Sequence, residues 1–184
     1  MKKIELDPHI FLVDDFLSAK ECSDFIEKSE LQTFEEAKIN MGGNQVMMKG
    51  VRNNDRLLFF DDNLAQELWS KLKPFVPSSF GASKAIGLNE MFRIYRYEPG
   101  QRFKMHRDGS YERNETEFSI LSFLIYLNDD FEGGETEFRK ITTVKPKTGM
   151  ALVFHHPVRH EGKEIISGTK YVLRTDVMYK LEKL

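Results

Sequence analysis

From residue 88 onward, apolar and polar positions alternate with a period of two or run unbroken in short stretches, and turn signals separate the runs. Phe92-Arg-Ile-Tyr-Arg-Tyr97 alternates as a strand does, Pro99-Gly100 turns it, and a return strand ends at His106. Phe118-Ser-Ile-Leu-Ser-Phe-Leu-Ile-Tyr-Leu127 is apolar on both faces and therefore predicts a central strand. Gly133-Gly-Glu-Thr-Glu-Phe138 reads as a turn into a short strand, and Val144-Lys-Pro-Lys-Thr-Gly149 as a strand end and tight turn. Met150–His155 predicts another buried strand, with His160-Glu-Gly162 after a short link. A long final strand follows, from Gly168 to Tyr179, placing Lys170, Val172 and Arg174 on one face. Roughly ninety residues of short strands and turns predict a jelly-roll barrel, mainly β with flanking helices.

The first half follows other rules. Ile10–Asp14 predicts an edge strand. Ser18 and Glu21 form the pattern of a capping box, opening a helix to about Glu30 with Cys22, Phe25 and Ile26 on its apolar stripe. A second helix is predicted from Asp61 or Asp62, with Leu64, Leu68, Leu72 and Phe75 inward and Pro77 closing it. Between the helices, Gly42, Gly43 and Gly50 accompany a dense polar cluster of Arg52, Asn53, Asn54 and Arg56. That segment predicts a lid that contacts substrate. No repeat or linker divides the chain, so one domain is expected over 1–184, with 1–87 supplying helices, strands and the lid and 88–184 the barrel core.

The candidate chemistry lies in His106-Arg107-Asp108 together with His160. Residues i and i+2 of a strand share a face, so His-x-Asp delivers an imidazole and a carboxylate to one point. Five His and eleven Asp would yield roughly 0.3 such triplets by chance, so the triplet is weak alone and its surroundings decide. With a second histidine from a distant strand, the set caps one face of an octahedral Fe(II) and leaves three cis positions open. A dicarboxylate keto acid chelating such a metal leaves its other carboxylate buried, and Lys170 in an otherwise apolar strand is the expected partner.

These segments resemble the Fe(II)/2-oxoglutarate-dependent dioxygenases of the prolyl 4-hydroxylase-like group. The matching stretches are Tyr97–Asp108, Tyr126–Asn128, Gly133–Phe138, Pro146–Gly149, His160–Gly162 and Gly168–Leu173, in the family's order and spacing. The resemblance covers about residues 88 to 179 and implies the double-stranded β-helix form of the jelly roll. It implies His106, Asp108 and His160 as metal ligands, Lys170 and Tyr126 on the distal carboxylate of 2-oxoglutarate, and Tyr97 lining the cosubstrate pocket. Arg174 departs from the usual smaller or neutral residue, and its role stays open between cosubstrate, an acidic group of the substrate, and an ordinary structural ion pair with Asp176 or Glu117. Fe(II), 2-oxoglutarate and O2 are the implied cofactor and cosubstrates, with ascorbate as candidate reductant. The implied reaction hydroxylates a C–H bond of a prolyl or other amino-acid-type substrate, free or peptidyl, and releases succinate and CO2.

Composition narrows the alternatives. A net charge of −2 gives no reason to expect nucleic acid as partner, and no stretch is apolar enough for a membrane span. The apolar run near the start is broken by acids and Pro8, so no secretory signal is expected. Cys22 stands alone, excluding an internal disulfide and a cysteine metal site and fitting a cytoplasmic setting. A non-enzymatic barrel binding a small anion is the alternative to an oxygenase. A zinc hydrolase fits less well, since no His-Glu-x-x-His pattern supplies a general base.

Overall fold

The computed structural model describes residues 1–41, 44–46 and 48–182. One large antiparallel sheet runs, in spatial order, Lys2–Asp7, Ile10–Asp14, Ala151–His155, Glu117–Tyr126, Lys170–Leu181, Met91–Tyr97, Asp55–Phe60 and Glu35–Glu36. Ser83–Leu88 joins it along the far half of Lys170–Leu181. A smaller sheet has the order Phe103–His106, His160–Gly162, Thr136–Phe138, Thr142–Val144. The two sheets enclose Tyr95, Tyr126, Phe138, Leu152, Phe154 and Val172. On the large sheet's other face, Phe92, Phe123, Leu173 and Val177 pack against Cys22, Leu68 and Leu72 of the two helices.

The expected jelly-roll architecture is therefore present, and Glu117–Tyr126 is central as its two apolar faces require. On Lys170–Leu181, Lys170, Val172 and Arg174 point between the sheets, while Tyr171, Leu173 and Val177 point at the helices. Truncating Leu68 or Leu72, both almost fully buried, costs about 2–5 kcal/mol by the usual cavity rule.

Three expectations change. Ile10–Asp14 is not an edge strand: Lys2–Asp7 covers it, and Ile10 through Val13 are buried. The first helix keeps its predicted capping box and spans Ala19–Glu30. The second spans Asp62–Leu72, capped by Asp61, and stops short of Pro77. Pro74 lies just beyond that end and lacks the N–H that the next helical bond needs. The polar segment before Asp55 is less open than a lid. Residues 51 to 53 run beside residues 102 to 104, joined by the Lys104 N–H to the Val51 carbonyl, and Asp55–Phe60 is a strand of the large sheet. Gly42 and Gly43 lie outside the described residues.

Candidate active site

The small sheet assembles the metal set. Phe103–His106 pairs antiparallel with His160–Gly162, and His106 and His160 are direct partners in that register. Their ring centroids stand 4.2 Å apart. The strand ends at His106, so Asp108 is carried by the coil beyond it rather than by the strand itself. Its backbone N–H donates to the His156 carbonyl at 3.1 Å, which fixes that coil. Ligand atoms of His106, Asp108 and His160 then lie within 4.8 Å of one another. His106 Nε2 is 3.5 Å from Asp108 Oδ1, and His160 Nε2 is 3.7 Å from Oδ2.

The imidazoles are oriented for ligation. Nδ1 of His106 lies 2.7 Å from the Lys104 carbonyl, and Nδ1 of His160 lies 3.0 Å from that of Val158. A carbonyl only accepts, so each Nδ1 carries a proton and each Nε2 is the nitrogen turned toward the metal position. His106 Nε2 is buried without a hydrogen-bond partner, an orphan that a cation would satisfy. Burial pushes His160 down to about 4, so it is neutral near pH 7. Burial alone would raise Asp108, but the Arg174 guanidinium and the two imidazoles hold its carboxyl well below the usual range. Two imidazoles and one carboxylate fit Fe(II).

Behind Asp108 runs a hydrogen-bond chain. The Ser122 hydroxyl donates to Asp108 Oδ2 and lies 2.9 Å from His156 Nδ1. His156 Nε2 is 2.8 Å from the Ser119 hydroxyl, which also accepts from the Tyr111 N–H. His156 is buried, and nothing in the local sequence sets it apart from its neighbour His155. Ser122 could have been suspected: it is a polar residue in an apolar central strand, on the same face as Tyr126.

A second zone centres on Lys170. It is 4% exposed, its Nζ donates to the Gly134 carbonyl, and no carboxylate among the described residues pairs with it. The rings of Tyr97 and Tyr126 lie 5.5 and 5.3 Å from Nζ, and the Tyr126 hydroxyl is 2.7 Å from Thr136 Oγ1. Burial pushes the lysine's pKa down to about 7, only partly opposed by half-exposed Glu135. Gly134 has φ +68°, and a Cβ there would collide with Ile165 and press on the Lys170 stem at 3.3 Å, so glycine is required.

Arg174 does not join Lys170. Its Nη2 lies 2.9 Å from Asp108 Oδ2 and 3.7 Å from Asp176 Oδ1, beside the metal set, while its Nε has no partner. Along the strand the two residues start about 13 Å apart in backbone, and their present partners differ, Asp108 and Asp176 for Arg174 and the Gly134 carbonyl for Lys170. Of the four predicted substrate residues, none lines the cavity; Arg52 comes nearest, packed against the lining rings of Tyr95 and Phe103. Its guanidinium sits 4.3 Å from the Tyr95 ring and 4.4 Å from the Phe103 ring, with Phe103 stacked in turn on His106. Asn54 is buried and accepts from Arg52 Nε at 2.7 Å. Asn53 ties to the backbone of Arg102 and Gly100, and Arg56 pairs with Glu35 at 2.9 Å. The triad, Tyr95, Tyr97, Tyr126, Lys170 and Arg174 line one enclosed cavity. A wider groove between the helices, lined by Leu17, Phe25, Leu57 and Leu64, lies away from these groups.

With this geometry, the chain matches the family model of the 2OG-Fe(II) oxygenase superfamily over residues 92–175. It is a 2-oxoglutarate-dependent oxygenase of the prolyl 4-hydroxylase-like group, and Fe(II), 2-oxoglutarate and O2 are the cofactor and cosubstrates this implies. Prolyl 4-hydroxylase 1 of Arabidopsis thaliana is 27% identical, with 91% of this chain and 68% of that protein covered. A viral collagen prolyl hydroxylase from Paramecium bursaria Chlorella virus-1, solved as its 2-oxoglutarate complex, superposes with a TM-score of 0.65 at 20% identity, covering 94% of this chain and 96% of that one. A Trichoplax adhaerens prolyl hydroxylase, solved with a hypoxia inducible factor peptide fragment, gives 0.70 at 16% identity, covering 92% and 83%. At such identities these structures speak for the fold. Among the described residues, no helix is long and apolar enough to cross a membrane.

Proposed function

We propose that the chain hydroxylates a C–H bond of an amino-acid unit, prolyl or other, free or peptidyl. The observation that carries this reading is the orphaned His106 Nε2 set beside Asp108 and His160, with a buried, unpaired Lys170 in the same cavity. The first group calls for a cation and the second for an anion. Fe(II) and 2-oxoglutarate supply one of each.

In this reading His106, Asp108 and His160 hold the metal from one side and leave the other open. Asp108 contributes the one protein charge, aimed by Ser122 and, through it, by His156. Lys170 neutralises the distal carboxylate, with Tyr126 as hydrogen-bond donor and Tyr97 as wall. The aromatic lining keeps water from the reacting atoms. When bound, Fe(II) with 2-oxoglutarate and O2 supplies the oxidising chemistry, releasing succinate and CO2. Ascorbate serves as reductant between turnovers. The related structures carry either 2-oxoglutarate or a peptide, so peptidyl proline belongs among the first substrates to try.

The test is succinate release by the iron-loaded protein under O2, with ascorbate, against free amino acids and proline-containing peptides. Substrate-stimulated succinate supports the reading. A protein that binds iron yet consumes no 2-oxoglutarate under any of these conditions would be a binding module instead.

A further inference from the structure

We propose that the substrate carries a carboxylate, received by Arg174 on the metal side of the cavity, with Arg52 adding positive charge from against the Tyr95 and Phe103 rings that line it. The inference rests on the oxygenase reading and adds the chemical class of substrate to it. Its starting point is two buried guanidinium groups with unanswered donors. Arg52 is 5% exposed and its Nη2 has no partner; Arg174 is nearly as enclosed, and its Nε has none. Arg52 is held in place by Asn54 and by the faces of Tyr95 and Phe103, all uncharged.

Charge balance points the same way. In the loaded site, the two positive charges of Fe(II) and that of Lys170 are matched by Asp108 and the dianionic cosubstrate. Asp176, the other buried acid on this face, lies 3.9 Å from Arg93 and 3.7 Å from Arg174, and one carboxylate answers only one of them. Arg52 and a second guanidinium therefore remain uncompensated in a low-dielectric pocket, which is costly unless an anion arrives. Tyr95 reports this local field. Burial would raise its phenol, but Arg52, Arg174 and Arg93 outweigh burial and pull it down to about 8.

In the oxygenase reading the distal carboxylate of 2-oxoglutarate goes to Lys170, whose present partner is the Gly134 carbonyl, and not to Arg174, which sits against Asp108. A blocked peptide backbone does not supply one either, since its amides are neutral. A free amino acid or other small carboxylic acid does, and an Asp or Glu side chain of a peptide is the second source of the same chemistry.

The experiment uses the full chain loaded with Fe(II) under nitrogen and saturated with 2-oxoglutarate. Calorimetric titrations compare each of the twenty free amino acids with its carboxamide, and N-acetylated, C-amidated proline peptides with and without Asp or Glu. At least one acid should bind one per chain, about tenfold or more tightly than its amide. Arg174→Gln and Arg52→Gln should erase that preference, and Arg174→Lys should retain part of it. Preference for a blocked acidic peptide supports the proposal and places the carboxylate on a side chain. It is overturned if no acid outbinds its amide in the wild type, a comparison that needs no variant to fold. It is also overturned if the preference survives both Gln variants, or if Arg174→Gln loses 2-oxoglutarate affinity to the same extent, which would assign that cation to the cosubstrate. A wild-type chain that takes up neither iron nor 2-oxoglutarate refutes the oxygenase reading instead, and is recognised on the same samples.

Discussion

Replacing Lys170 with Met removes the buried ammonium while keeping most of its stem, so the cavity walls stay in place. In the free protein the amine faces two aromatic rings and one carbonyl, and its pKa of about 7 leaves only roughly a quarter of it charged at pH 7.5. An arriving carboxylate restores the charge. Protonating the amine at pH 7.5 costs about 0.8 kcal/mol, small beside the about 3–5 kcal/mol typical of breaking a buried ion pair. The Met variant should therefore bind 2-oxoglutarate about two to three and a half orders of magnitude more weakly. The pH dependence has a definite sign. The binding-competent form is the cation, and its pKa is depressed, so competence is lost as pH rises through about 7. Wild-type affinity should then fall roughly tenfold per pH unit above that point, with close to one proton taken up on binding at pH 8. The variant should show neither effect. Calorimetry on iron-loaded protein under nitrogen, in two buffers of different ionisation heat, measures affinity and proton uptake together. A Met variant within threefold of wild type, or a wild type that binds without proton uptake at pH 8, would refute the reasoning.

Other outcomes follow from the same geometry. His106→Ala, Asp108→Ala and His160→Ala should each keep a native circular dichroism spectrum and lose iron, as measured by elemental analysis; full occupancy in any one removes that residue from the set. His156→Phe should weaken iron binding about 10–100-fold in a chelator competition, because Ser122 loses the partner that aims it at Asp108; unchanged affinity would reduce His156 to packing. Lys170→Met should melt at a higher temperature than wild type when 2-oxoglutarate is absent. The folded state depresses this lysine's pKa below its unfolded value, so its penalty is full below about pH 7 and fades toward pH 10.5. The gain should accordingly be larger at pH 6 than at pH 9, and a constant gain would point to packing rather than charge.

The barrel half was legible because sheets buried on one or both faces impose their period on the sequence, as in Phe92–Tyr97 and Phe118–Leu127. The metal residues were legible because ligand chemistry tolerates few substitutes. What stayed hidden depends on partners distant in the chain. Arg52 reads as part of a polar, glycine-flanked lid, yet Tyr95 and Phe103, more than forty residues away, bury it. His155 and His156 are indistinguishable in sequence, and only the backbone path after Ala151–His155 turns the second one toward Ser122. A strand's neighbour is likewise invisible locally, which is why Ile10–Asp14 passed for an edge. Asp108 reached the expected point by a different route, held by a backbone bond to His156 after its strand had ended.

The two histidines belong to the small sheet, whereas Asp108 is gripped by Ser122 and Arg174 of the large one. A metal bound by all three is thus a rivet between two plates, and separating the sheets means breaking coordination. Filling the centre should rigidify the whole sandwich, adding stability by mass action that grows with the logarithm of metal concentration over its dissociation constant. The rivet also proofreads alignment: a slip of one residue between Phe103–His106 and His160–Gly162 would turn one imidazole to the opposite face, and the plates would no longer fasten.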